Sequence, residues 1–350
     1  MKLDKRIENL NVYSEEEIVT PAELKDKFPL SERAVSVVMN GQKTIGRILS
    51  GEDRRKLIIV GPCSIHNPSE ALDYAEKLKK LSEEVKEKLF LVMRVYFEKP
   101  RTTVGWQGLV NDPYLDNSCI IDDGLAIARE LLLHIAEIGL PAAGEALDLI
   151  TPQYVQDLFS WTAIGARTTE SQTHRKMASG FSSAVGFKNG TTGNINVAIN
   201  AIKSAGHPNN FISINPEGHS AIVRTKGNRN THIVLRGGAG KINYDKVSIE
   251  RCEKMLKSAG LPEKIMIDCS HENSGKDPEN QKEVIEDIKA QIQGGNKSIF
   301  GLMIESNING GNQEITKDLN NLKYGVSITD SCLSFTDTEK SIKSLFDGLR

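Results

Sequence analysis

The chain has no run of about 18 apolar residues, so no segment reads as a membrane-spanning helix. Its opening residues, MKLDKRIENLNVYSEEE, lack the apolar stretch of a secretory signal. The expectation is a cytoplasmic protein with no membrane partner. A surplus of one charge sign is also missing: 44 Lys and Arg stand against 46 Asp and Glu, a formal net charge of −2. That gives no general attraction for nucleic acid or an anionic surface. Cysteine is scarce and odd in number, at five, without framework spacing. Cys63, Cys119, Cys252, Cys269 and Cys332 read as reduced thiols. There is no repeat, no low-complexity segment and no local CxxC or HExxH spacing. GGAGK (237–241) echoes a phosphate-binding loop, but it lacks the first Gly at the required spacing and has Ile242 where Ser or Thr should follow.

What is present is a rhythm of short apolar runs. They are KLIIVGPCS (56–64), LFLVMRVYF (89–97), PAAGEAL (141–147), WTAIGAR (161–167), SAVGFKN (183–189), THIVLRGG (231–238), EKIMIDCS (263–270) and SIFGLMIES (298–306). Near-continuous apolarity fits strands buried on both faces, as in a parallel sheet. Helical patterns separate them, over 68–88, 123–139, 151–160, 194–206, 244–260 and 280–295. Eight alternations predict an α/β fold, a (β/α)8 TIM barrel, with an open doubly wound sheet as the alternative. Residues 1–55 are expected to form an N-terminal arm and a helix ahead of a barrel over 56–350. Between the fifth and sixth strands, FISIN and HSAIVRT predict an inserted β-hairpin over 211–225.

Barrel active sites form at the C-terminal ends of the strands. Reading those ends gives two sets of residues. Arg94, Lys99, Arg101, Arg167, Lys188 and Arg236 are six cations directed to one mouth, with Thr102 and Glu145 among them. Charges leaving buried strands need partners. Either phosphate and carboxylate groups of substrates supply them, or acids inside the barrel do. Cys63, His271, Glu305 and Asp330 form the second set. Thiolate, imidazole and carboxylates can hold a divalent transition metal. The alternatives are a core-filling Cys63, a hydrogen-bonding His271 and an ion-paired Glu305. His66 is given only a loop role.

The strings GPCSIH (61–66), KPRTTVGW (99–106), PAAGEALDLITPQY (141–154), GARTTESQTHRKMASG (165–180), GFKNGT (186–191), HIVLRGG (232–238), DCSHENSGK (268–276) and SITDSC (327–332) closely resemble the type I alpha 3-deoxy-D-arabino-heptulosonate 7-phosphate (DAHP) synthases. The resemblance runs from about residue 28 to the end. It implies a metal-dependent barrel enzyme that condenses phosphoenolpyruvate with erythrose 4-phosphate, the first step of the shikimate pathway to aromatic amino acids. It also implies one divalent ion per chain (Mn2+, Fe2+, Co2+ or Zn2+) on Cys63, His271, Glu305 and Asp330. Phosphoenolpyruvate would meet Arg94, Lys99, Arg167, Lys188 and Arg236, with Glu145 and the Gly144 backbone nearby; Arg101 and Thr102 would take the phosphate of erythrose 4-phosphate. Lys99 is placed to donate a proton or to orient by charge.

The same resemblance implies a homo-oligomer, a tetramer built as a dimer of dimers, inhibited by phenylalanine or tyrosine. The effector pocket would use Asp148, Gln153, Met177, Phe181, Ser182, Phe211, Ser213 and Val223, with Asp4 from a neighbouring arm. Gln107 departs from the family's commoner Lys. Cys332, two residues after Asp330, is a candidate to form an oxidative disulfide with Cys63. Competing readings are the sister phosphoenolpyruvate/arabinose 5-phosphate synthase, against which KPRT argues, a Schiff-base aldolase using Lys188, and a non-catalytic amino-acid-sensing barrel.

Overall fold

The computed structural model describes residues 7–349, so Asp4 lies outside the described residues. The apolar runs become β1 (Lys56–Gly61), β2 (Leu89–Arg94), β3 (Ala142–Glu145), β4 (Phe159–Ile164) and β5 (Ala184–Lys188). An inserted antiparallel pair follows, β6 (Asn210–Ile214) and β7 (Ser220–Arg224). Next come β8 (Thr231–Leu235), β9 (Ile265–Asp268) and β10 (Ile299–Asn307), and the two-residue β11 (Leu333–Ser334) lies beside the end of β10. Neighbouring barrel strands are parallel, and β1 pairs with β10. The sheet is therefore a closed eight-stranded barrel and not an open one. Helices α1 (Pro21–Lys27) and α2 (Glu32–Ser50) precede it. The helices α3 (Pro68–Val85), α4 (Ile121–Ile138), α5 (Pro152–Val155), α6 (Gln172–Ala178), α7 (Ile195–Ala205), α8 (Lys246–Ser258), α9 (Gln281–Gln293) and α10 (Phe335–Gly348) connect or follow the strands. No described helix is long and apolar enough to cross a membrane.

Side chains alternate along a strand, and here both faces are dry. Leu57 and Ile59 of β1 point into the barrel with Val92, Ala143, Trp161, Ala184, Val234, Met266 and Phe300 from the other strands. Ile58 and Val60 point out against the helices. That is why the runs read as continuously apolar. The segment before the barrel closes its lower end. Ser31 caps α2 by accepting from the Ala34 N–H, and Gly51 ends it at φ +85°. Ile45 and Ile48 join the barrel-interior cluster. Gly41 permits the approach, since a Cβ there would lie 2.3 Å from Ser160 Oγ.

One predicted helix is shorter in the structure. The 151–160 pattern yields only the single turn of α5 and a 3-10 turn over Gln156–Leu158. Phe159 already pairs with Ala142 of β3, so strand pairing overrides the local pattern. For the same reason β4 begins two residues before the predicted run.

Inside the barrel, Trp161 Nε1 donates to His232 Nε2 at 3.2 Å, and Phe300 meets the imidazole edge-on. Burial holds His232 down to about 3. A histidine depressed below its unfolded value costs stability as pH falls below that value, because only the unfolded chain takes the proton. The slope is about 1.4 kcal/mol per pH unit for one proton. His232→Gln is therefore expected to show a shallower fall in urea midpoint from pH 6.5 to 5. An unchanged slope would remove His232 from the acid response.

Candidate active site

The C-terminal mouth of the barrel holds a cleft of about 840 Å³. Arg94, Lys99, Arg101, Thr102, Glu145, Arg167, Lys188, Arg236, His271, Glu305 and Asp330 all line it. Cys63 lies buried beside it, at 0% exposure. Gly144 is not among the lining residues; an added Cβ there would meet the Phe159 ring at 2.5 Å, so its small size serves packing.

The buried cations are paired from below. Lys188 Nζ sits 2.8 Å from Asp268 Oδ2. Arg94 Nη2 donates to Glu305 Oε1 at 2.8 Å and to the Cys63 carbonyl at 3.1 Å. Arg236 is buried and its Nε has no partner among the described residues. An unpartnered buried donor facing a cleft is suited to a ligand anion. Nearer the rim, Arg167 Nη2 donates to Thr102 Oγ1 at 3.2 Å, and its Nη1 reaches the Pro100 carbonyl at 3.4 Å. The exposed Arg101 guanidinium lies over Gly105. The segment carrying Lys99 and Arg101 is anchored by a bridge from Glu98 to Gly108 and by the Lys99 N–H on the Gln107 carbonyl. Gln107 thus serves that segment through its main chain.

Cys63, Glu305 and Asp330 bring one ligand atom each within 4.8 Å of one another. Cys63 Sγ donates to Asp330 Oδ2 at 3.3 Å. The Lys99 ammonium stands against them, 3.0 Å from Cys63 Sγ and 3.4 Å from Asp330 Oδ2. A thiol and two carboxylates gathered around one cation fit a divalent metal. His271, the fourth predicted ligand, lines the same cleft but is outside this three-residue cluster. Its Nδ1 is held by Ser270 Oγ at 2.7 Å and Asp268 Oδ2 at 3.0 Å, which leaves Nε2 as the atom for a metal.

Charge and burial shift these groups. Burial, with Glu305 nearby, pushes the Cys63 thiol up to about 11 despite Lys99. Burial alone would lower the Lys99 ammonium, but Cys63, Asp330 and Glu305 hold it above its usual range. Burial would raise the Asp330 carboxyl; Lys99, the Cys63 thiol and His271 outweigh it and hold it well below the carboxylate range. Cys332 is buried, its thiol donates to the Asp330 carbonyl at 3.6 Å, and Cys63 and Cys332 are both free thiols.

Two residues were given no role in the reading of strand ends. Asp268 partners both Lys188 and His271. Tyr96 stacks beneath Arg94. Asp268 stood in the DCSHENSGK motif and terminates the seventh barrel strand, which was a usable signal. In GGAGK, Gly237 and Gly238 serve packing, a Cβ on Gly238 lying 2.2 Å from the Gly193 nitrogen, while Gly240 faces open space and serves the turn at φ +72°.

A closed parallel barrel with cations and a thiol–carboxylate cluster at its C-terminal mouth defines an enzyme for small anionic molecules. Residues 27–343 match the DAHP synthetase I family, and the chain belongs to it. The Tyr-sensitive phospho-2-dehydro-3-deoxyheptonate aldolase of Escherichia coli is 51% identical over 343 residues, covering 98% of this chain and 96% of its own length. The Phe-sensitive enzyme of the same organism is 52% identical, with 98% and 97% covered. A solved phospho-2-dehydro-3-deoxyheptonate aldolase structure from Francisella tularensis superposes with a TM-score of 0.95 at 47% identity, covering 97% of this chain and 98% of that one.

Proposed function

We infer that this protein is a DAHP synthase, joining phosphoenolpyruvate, D-erythrose 4-phosphate and water to give DAHP and phosphate, the first step of the shikimate pathway. The carrying observation is the cleft itself, where Arg94, Lys99, Arg101, Arg167, Lys188 and Arg236, with Lys276, share one mouth with the Cys63–Glu305–Asp330 cluster. C3 of phosphoenolpyruvate bonds to the aldehyde carbon of the sugar phosphate. Water adds at C2, the C2–O bond to phosphorus breaks, and phosphate leaves. Cys63, His271, Glu305 and Asp330 would hold a divalent metal, which would supply Lewis acidity toward the aldehyde when bound. The mixed sulfur, nitrogen and oxygen donors suit Mn2+, Fe2+, Co2+ or Zn2+.

The chain's own residues bind and orient. Arg94, Lys99, Arg167, Lys188 and Arg236 receive the phosphate and carboxylate of phosphoenolpyruvate, with Glu145 beside them. Arg101 and Thr102 take the phosphate of the sugar. Holding both anions in line lowers the barrier by converting an encounter into a positioned step. The Lys99 ammonium, charged before the reaction, gives its proton to the former aldehyde oxygen and is recharged by the proton that the water releases on adding at C2.

The insert supports a role in regulation and assembly. Phe211 pairs with Val223 across β6 and β7, and α6 packs against β6 with Met177 buried. Phe181 packs on the same core, and Ser213 Oγ is buried without a partner among the described residues. Together with Gln153, Ser182 and the exposed Asp148, these groups suit the ring, carboxylate and ammonium of phenylalanine or tyrosine. Ile212 and Ile222, directly opposed on the outer face, are 81% and 63% exposed. Such a pair suits a second copy of the chain. It supports a tetramer in which the hairpin and the 1–55 segment form regulatory and oligomer surfaces.

The test is phosphate release by EDTA-treated protein with Mn2+ restored. Release is expected only with both substrates and the metal. Release from phosphoenolpyruvate alone, or none with any of the four metals, would overturn the assignment.

A further inference from the structure

Arg94 is the last residue of β2, and Tyr96 lies two residues beyond it. In the barrel interior Tyr96 joins Val92, Ala143, Trp161 and Met303. The Arg94 guanidinium has five N–H donors. Nε donates to the Pro62 carbonyl at 3.0 Å, and Nη2 to the Cys63 carbonyl at 3.1 Å and Glu305 at 2.8 Å. Nη1 gives one hydrogen to Met303 Sδ at 3.3 Å. A single N–H is left for a ligand. These bonds fix the edges of the guanidinium plane, but its tilt needs a surface. The Tyr96 ring supplies one, with Arg94 Cζ 3.5 Å from its centroid. The main chain that carries the ring is fixed, with Ile65 N–H on the Tyr96 carbonyl at 2.9 Å and Val95 N–H on the Ala143 carbonyl at 2.8 Å, and the side chain is buried in the interior cluster. The Tyr96 hydroxyl is buried without a partner among the described residues, and the charges acting on the side chain are Arg94, Glu145, Asp268 and Glu305. A buried hydroxyl in a polar floor takes a water.

We propose that Tyr96 is a positioning residue of the cleft: its ring sets the tilt of Arg94 so that the one spare N–H faces phosphoenolpyruvate, and its hydroxyl anchors a buried water at the cleft floor. This rests on the assignment of the cleft to phosphoenolpyruvate. Turnover by the wild-type enzyme tests that assignment, and the variants test Tyr96.

Tyr96→Phe keeps the ring and Tyr96→Leu removes it. Tyr96→Phe is expected to hold the KM for phosphoenolpyruvate within about twofold of wild type, as the weaker part of a cation–π contact. Tyr96→Leu is expected to raise it well beyond that, while the KM for erythrose 4-phosphate stays put in both. Replacing residue 96 by mono-, di- and trifluorinated phenylalanines weakens the ring's face without changing its fold requirements. The KM for phosphoenolpyruvate is expected to climb along that series, by roughly 2- to 30-fold in all. A flat series, or equal KM values for the Phe and Leu variants, would overturn the platform role. In crystal structures, a water on the wild-type Tyr96 hydroxyl should vanish in Tyr96→Phe; a water that stays, or none in the wild type, would overturn the anchoring role.

Discussion

Cys63→Ala protein is expected to fold, to hold no stoichiometric metal, and to lose activity by on the order of 10³-fold or more, the scale on which a central electrostatic group matters. The sulfur is fully buried at the end of β1 and touches both Asp330 and Lys99. Removing it takes away the soft ligand and leaves the metal to compete with Arg94 and Lys99 for Glu305 and Asp330. The packing loss is one small atom, so destabilisation should stay near the usual ~1 kcal/mol of a point substitution. Metal content by elemental analysis, phosphate release and thermal unfolding separate the effects. A Cys63→Ala enzyme that is fully active and metal-free would sink the metal centre. One that unfolds would instead return Cys63 to a packing role. Cys63→Ser sharpens the test, because its hydroxyl preserves the volume and offers a harder donor.

The barrel was legible because burial on both faces leaves a strong trace. Ile58 and Val60 pack outward while Leu57 and Ile59 pack inward, so the run cannot be amphipathic. The hairpin was legible for the opposite reason: Phe211 and Ser213 alternate with the exposed Ile212. The 151–160 helix misled because a helical pattern says nothing of the strand beside it, and β3 claims Phe159. The cations were legible because a charge at the end of an apolar strand has few explanations. Their partners were not. Nothing local to Lys188 points to Asp268, which lies 80 residues on and two strands around the barrel. Tyr96 reads as one more apolar residue until the guanidinium of Arg94 is found on its ring. The resemblance to a family supplied which charges go with which substrate, something no periodicity contains.

Asp268 is the residue whose loss should reach furthest. Its carboxylate is fully buried and holds Lys188 at 2.8 Å, His271 Nδ1 at 3.0 Å and Ser270 Oγ at 2.6 Å. Burial would raise its carboxyl, but Lys188 and His271 hold it well below the carboxylate range. Asp268→Asn keeps the shape and removes the charge, leaving the Lys188 ammonium buried without a counter-ion. Breaking a buried pair from one side costs about 3–5 kcal/mol. Metal affinity should fall about 10- to 100-fold, because the imidazole loses the group that orients it, and the KM for phosphoenolpyruvate should rise as Lys188 drifts. The double variant Lys188→Met/Asp268→Asn removes the orphaned charge and should recover part of the stability but none of the substrate affinity. The pH dependence has a definite sign. A carboxyl depressed in the fold stabilises above its unfolded value and loses that contribution as pH falls toward its folded one. Wild-type stability should therefore drop more steeply below about pH 4 than that of Asp268→Asn. Unfolding free energies within 1 kcal/mol of wild type, with unchanged metal affinity, would show that Lys188 and His271 hold their places without Asp268.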